Sequence, residues 1–217
     1  MNLAIFDLDH TLLHDDSDRG WNDFLVTLGV VDPDEHKANN ERWYREYASG
    51  NLDIREYNRW AFRLHREFGT QKVSAWRDQY VNDVVPGMVA KRTPEVLKGH
   101  RENGDDILVI TATSRFIAGP IVDSLGIEHC LGIDIEQVDG EYTGEIVGIP
   151  TFQGGKVDAL KQWLQGRPDY SSTSFYSDSH NDLPLLKQVD RPVVVDGDER
   201  LLAHADANGW LSTSFRD

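Results

Sequence analysis

Asp7 and Asp9 stand two residues apart, directly after the apolar run Leu3–Phe6. Carboxylates that close repel each other and resist desolvation. A fold keeps such a pair at the edge of its core where something uses it, and a cation is the simplest use. Other polar groups occupy comparable places. Thr111 follows the apolar run 107–110, Asp178 follows 174–177 with Asp182 close behind, and Lys156 comes at a helix start after Gly154 and Gly155. Mg2+ prefers oxygen ligands and takes one or two carboxylates plus water and substrate phosphate, and Asp7 and Asp178 can supply the carboxylates. A carboxylate beside the metal can attack phosphorus and form an aspartyl-phosphate. Asp9 can protonate the leaving alcohol and then take a proton from water. Thr111 can hold phosphoryl oxygens, and Lys156 can offset the charge of nucleophile and phosphate together. The plainer reading of each is a strand end, an Asp-rich turn or a solvated first-turn lysine.

The elements that would bring these groups together are legible from periodicity. The run 3–6 reads as a strand buried on both faces. From Gly20 to about Pro86 the pattern is helical, with stops at Gly29, Gly50 and Gly69. It predicts four helices, the third spanning 54–68 as one stripe of Ile54, Tyr57, Ala61, Leu64 and Phe68. Strands at 107–110, 174–177 and 193–195 then alternate with helices that start at Thr93, follow Ser114, start at Gly154, and cover 181–189 and 199–208. Asp139-Gly140 suggests a hairpin within 133–147. The alternation predicts an α/β fold with a doubly wound parallel sheet. The core comprises residues 1–15 and 87–217, and a helical module, 16–86, is inserted after the first strand. Parallel topology then puts Asp7, Thr111 and Asp178 on one edge of the sheet.

The 217 residues suffice for one sizeable domain with an insertion. Asp plus Glu number 37 against 22 Lys plus Arg, a formal charge of −15, which argues against a nucleic-acid partner. A small phosphorylated metabolite needs only a local cluster of cations and amides. No apolar run is long enough for a bilayer, and the N-terminus lacks a basic segment followed by an apolar one. The single cysteine, Cys130, reads as a small core residue rather than a nucleophile. The expectation is a cytoplasmic protein, monomer or homodimer, with no membrane association.

The ordered strings Asp7-Leu8-Asp9-His10-Thr11, Thr111, Lys156 and Asp178-Ser179-His180-Asn181-Asp182 resemble the four motifs of the haloacid-dehalogenase-like phosphatases. The inserted helices look like that family's first cap type, on a Rossmann-like core. The last string is similar to the phosphoserine-phosphatase-like branch. The resemblance implies Asp7 as nucleophile and Mg2+ ligand, and Asp9 as acid/base giving its main-chain carbonyl to the metal. It implies Thr111 on the phosphate, Lys156 as charge stabiliser and Asp178 on the metal, with Asn181 and Asp182 supporting. Thr11, Ala112 and Thr113 fall within or beside these motifs as phosphate-binding or supporting residues. Asp16 stands where the phosphoserine enzymes carry a glutamate that reads the substrate amine, and Ala112 and Thr113 replace two glycines. Asp16-Ser17-Asp18, Thr111–Phe116 and Phe152–Lys156 look like a bacterial subgroup that includes histidinol-phosphate phosphatases. Asp16, Ser17, Arg59 and Arg115 are the candidate substrate contacts. Arg55, Arg59 and Arg63 share a helical spacing that also suits a solvated face. His10 and His180 are placed for packing or support. A phosphomutase of the same fold and a phospho-Asp receiver domain use overlapping residue sets and are the rival readings.

Overall fold

The computed structural model describes all residues, 1–217. Seven strands form one sheet: β1 (Leu3–Phe6), β2 (Asp106–Ser114), β3 (His129–Val138), β4 (Glu141–Val147), β5 (Thr173–Ser177), β6 (Arg191–Val195) and β7 (Leu211–Thr213). Their spatial order is β4-β3-β2-β1-β5-β6-β7. Every pairing is parallel except β3 with β4, the hairpin turned at Asp139-Gly140. β1 lies at the centre, with Phe6 level with Val109 of β2 and Tyr176 of β5. The chain order reverses about β1, which opens a crevice at the carboxyl ends of these three strands.

Alternation along β1 divides the core. Leu3 and Ile5 join Leu108, Ile110, Phe175 and Val194 on one face, under α8 (Gly154–Leu164), α9 (Leu183–Leu186) and α10 (Glu199–Asn208). Ala4 and Phe6 join Val109, Ile117, Ile121 and Val193 on the other, beneath α6 (Thr93–Glu102) and α7 (Arg115–Ser124). Both faces are therefore apolar, as a doubly wound sheet requires.

Between β1 and α6 lie five helices: α1 (Ser17–Thr27), α2 (Pro33–Ser49), α3 (Ile54–Ala61), α4 (Arg63–Phe68) and α5 (Thr70–Asp83). Asp16, Asp32 and Asp53 cap the first three by accepting main-chain N–H bonds. The single helix expected over 54–68 is broken at Phe62, which closes α3 and opens α4. Phe62 is buried and packs edge-on against Phe116 and Tyr142. Tertiary packing on the core thus bends a stripe that periodicity alone would run straight through. β2 extends through Thr111 to Ser114, beyond the expected 107–110. β3 joins the parallel sheet, and β7 completes the far edge. No helix is long and apolar enough to cross a membrane.

Candidate active site

The chain leaves β1 at Asp7 and makes one wide turn, closed by the Leu13 N–H donating to the Leu8 carbonyl at 2.9 Å. Asp9 is extended within this turn and His10 takes a left-handed φ of 54°. Asp7 and Asp9 thereby reach the same cavity. It is about 560 Å3 and runs from the carboxyl ends of the strands up between α1 and α2, with Asp7, Asp9, Thr111 to Thr113 and Asp178 along its floor.

Lys156 enters from below. Its helix starts where Gly155 comes so close to the chain that a Cβ there would meet the Pro150 carbonyl oxygen. The fully buried ammonium donates to Asp7 Oδ1 at 3.0 Å and to Asp182 Oδ2 at 2.7 Å. Ser177 also donates to Asp182 Oδ2, at 2.7 Å. Burial disfavours the Lys156 charge, but the Asp182 and Asp7 carboxylates outweigh it and hold the ammonium's pKa above its ordinary value. Burial pushes Asp7 up to about 7, against the pull of Lys156, and Asp182 and Asp9 push the same way. Asp178 is raised by desolvation first and then by Asp7 and Asp182.

Asp9 is held at both oxygens. The Ser17 N–H donates to Oδ1 at 2.6 Å and the Thr113 hydroxyl to Oδ2 at 2.7 Å. Thr111 accepts the Thr113 N–H at 3.1 Å, which leaves its own hydroxyl proton free to donate into the cavity. Thr151 ties down the Thr111 carbonyl at 2.6 Å. The Thr11 hydroxyl, buried beneath the floor, lies 3.4 Å from Asp178 Oδ1.

These donors suit a hard divalent cation. Asp7 and Asp182 share the single Lys156 ammonium and Asp178 has no ion-pair partner, so ionising all three acids leaves the site short of positive charge. No cluster of three or more His, Cys, Asp or Glu side chains could hold a metal unaided. Two carboxylates open to the cavity, with remaining positions for main-chain oxygen, water and phosphate, is an arrangement Mg2+ accepts.

The other expected residues are placed as follows. Asp16 lines the cavity, with one oxygen capping α1 through the Arg19 N–H at 2.9 Å. Ser17 is buried and acts on Asp9 through its main chain. Arg59 lies off the cavity, pairing with Glu145 of β4 at 2.6 Å on the surface. Arg115 likewise points away, 3.5 Å from Asp134. Both guanidiniums find carboxylates on the β3–β4 hairpin, a neighbour that helical spacing does not reveal. Asn181 ties insertion to core: it donates to the Tyr47 carbonyl at 3.2 Å, and Gln153 bridges it to the Gly50 carbonyl. His180 pairs with Asp198 at 2.8 Å, outside the cavity. Burial pushes the Cys130 thiol up to about 12, as an inert thiol requires.

Several wall residues are not among those expected from the sequence: Asp18, His36, Asn40, Trp43, Tyr47 and Tyr57. Four of them recur at 36, 40, 43 and 47, one face of α2. That spacing is a signal, but the face it marks is polar and aromatic together and does not stand out as a core stripe.

Residues 4–187 match the family model of the haloacid dehalogenase-like hydrolases. The chain is 36% identical over 220 residues to a histidinol-phosphatase of Neisseria meningitidis, covering 99% of each. A solved structure of a protein of unknown function from Bordetella pertussis superposes with a TM-score of 0.91 at 36% identity, over 99% of this chain and 98% of that one. A substrate-bound phosphoserine phosphatase shares the fold, with a TM-score of 0.66 at 16% identity over 97% of this chain and 91% of that one. The motif order, the parallel sheet with its helical insertion and these matches agree: the chain belongs to the haloacid dehalogenase-like hydrolases, among their phosphatases.

Proposed function

We propose that the protein is a Mg2+-dependent phosphatase that hydrolyses a small-metabolite phosphomonoester through an aspartyl-phosphate, with histidinol phosphate ahead of phosphoserine as its substrate. The observation that carries this reading is the convergence of Asp7, Asp9, Thr111 and Asp178 on one cavity floor, with Lys156 seated against Asp7. An Asp7 oxygen attacks phosphorus and the bond to the leaving oxygen breaks. Asp9, held by Ser17 and Thr113, gives its proton to that oxygen. Water then attacks phosphorus, Asp9 takes its proton, and the bond to Asp7 breaks, restoring both carboxyl groups and releasing phosphate. Thr111 donates to a phosphoryl oxygen, and Lys156 keeps Asp7 ionised as the phosphate arrives. Mg2+, when bound by Asp7, Asp178 and the Asp9 carbonyl, supplies further neutralisation of phosphoryl charge. The insertion covers the floor and excludes bulk water.

The preference for histidinol phosphate rests on the end-to-end similarity to the Neisseria histidinol-phosphatase. A cytoplasmic setting belongs to the same reading, supported by a single, half-buried cysteine. Phosphate release from histidinol phosphate and phosphoserine, with Mg2+ and with excess chelator, tests it. The expected outcome is metal-dependent release that favours histidinol phosphate. Equal release in chelator contradicts the metal, and no release from either ester contradicts the substrates.

A further inference from the structure

The upper half of the cavity, between α1 and α2, is not used by the phosphoryl chemistry. Its inner wall is acidic. Asp16 and Asp18 both face it, Asp18 beside the Tyr57 hydroxyl, and neither makes an ion pair with a cationic side chain. The lysine and arginine on this wall, Lys37 and Arg19, are exposed at the rim, where Arg19 leans on Asp23 at 3.9 Å. Lys156 is already taken by Asp7 and Asp182.

Two ring nitrogens point independently to a ligand. Trp43 Nε1 and His36 Nδ1 have no hydrogen-bond partner. Both residues line the cavity, yet are only 5% and 4% exposed. The Asn40 amide nitrogen stands 2.6 Å from His36 Nε2. The Asp23 carboxylate also faces Nε2, at 3.6 Å. The Trp43 indole N–H can only donate, and a buried donor without an acceptor is costly. The rings around them form a stiff wall: Trp43, Tyr57 and Trp60 pack with centroids 5.7 to 6.0 Å apart, and His36 stacks on Trp60 at 6.5 Å. Such a wall suits a flat group with an acceptor in its plane.

Resting on the phosphatase reading, we propose that this half of the cavity is a leaving-group subsite for a primary ammonium joined to a flat nitrogen heterocycle and lacking a carboxylate. The ammonium meets Asp16 and Asp18. An unprotonated ring nitrogen accepts from Trp43 Nε1. A carboxylate on the leaving group would face the two acids with no interior lysine or arginine to receive it.

The test compares kcat/KM of the Mg2+-loaded enzyme on four monoesters. Histidinol phosphate carries ammonium and imidazole, phosphoethanolamine the ammonium alone, phosphoserine the ammonium and a carboxylate, and p-nitrophenyl phosphate none of these. The expected order is histidinol phosphate over phosphoethanolamine over phosphoserine, each step about tenfold. Trp43→Phe keeps a ring and removes the N–H. It should shrink the histidinol phosphate to phosphoethanolamine ratio about fivefold, mainly through KM. Should that variant fail to fold, inhibition of the wild type by free alcohols gives the same answer, with histidinol inhibiting at concentrations where serine does not. Turnover of p-nitrophenyl phosphate with a flat ranking, with phosphoserine leading, or with an unchanged ratio in Trp43→Phe overturns the subsite alone. No turnover of any ester overturns the phosphatase reading itself.

Discussion

The Lys156 ammonium donates to the Asp7 carboxylate at 3.0 Å, and both side chains are almost completely withdrawn from water. The same ammonium holds Asp182 at 2.7 Å, so one cation bridges two buried carboxylates. Replacing Lys156 with Met removes that cation and leaves the acids facing each other. The folded state should lose about 3 kcal/mol at pH 8, read from the urea midpoint, because a buried pair is broken on one side only. Turnover should fall by about a thousandfold. Unaltered stability would mean that Asp7 and Asp182 do not depend on the lysine.

Asp9 owes its orientation to Thr113 as well as to the Ser17 main chain. Thr113→Val keeps the side-chain shape and deletes one hydrogen bond. It should lower kcat by about ten- to a hundredfold with little change in KM and about 1 kcal/mol in stability. A wild-type kcat would show that the second oxygen of Asp9 needs no fixing.

Gly155 is a glycine for lack of space, since a Cβ would collide with the Pro150 carbonyl oxygen. Gly155→Ala must push the start of α8 away from that loop, and Lys156 with it. The cost should be about 1–3 kcal/mol, as for other overpacked sites. Thermal unfolding measures it, and an unshifted midpoint would mean that the loop yields freely. Gly154→Ala is the control, because a methyl group at that position would meet nothing within 4 Å.

The floor of the cavity was largely legible in the sequence because its residues sit at strand ends. Leu3–Phe6 announces a buried strand, and a parallel sheet sends Asp7, Thr111 and Asp178 to the same edge whatever the details of packing. The cap side of the site was much less legible. Arg59 lies at a spacing that could have turned toward a substrate, but whether it does depends on the hairpin carrying Glu145, 86 residues further along. The break at Phe62 has the same origin, contact with Phe116 and Tyr142 rather than a local stop signal. His36 and Trp43 do not stand out in the sequence because an unpaired ring nitrogen is a property of surroundings, which no local pattern encodes.

The acids of the cavity make the metal-free protein sensitive to pH. Asp7 is pushed up to about 7 and Asp16 to about 6, in both cases chiefly by burial. Asp178 is raised in the same direction. A carboxyl whose folded pKa exceeds its unfolded value binds more protons when folded, so its destabilising effect is relieved as pH falls. Between about pH 8 and pH 6.5 the metal-free melting temperature should therefore rise on acidification. Below that, His65, held down to about 4 by burial, and His36, lowered by burial, favour the unfolded chain and oppose the trend. Mg2+ should raise the melting temperature at pH 8 and flatten the slope, because it favours the ionised acids it binds. A metal-free slope of the opposite sign would contradict the crowding of charge around Asp7.

The central claim is that Asp7 is the atom source of the attack on phosphorus. Asp7→Asn keeps the size of the side chain and removes the nucleophilic carboxylate. Phosphate release by the Mg2+-loaded variant, measured beside wild type on histidinol phosphate and p-nitrophenyl phosphate, should fall by about ten-thousandfold or more on both. Release within about tenfold of wild type on either ester would contradict the mechanism at its first step.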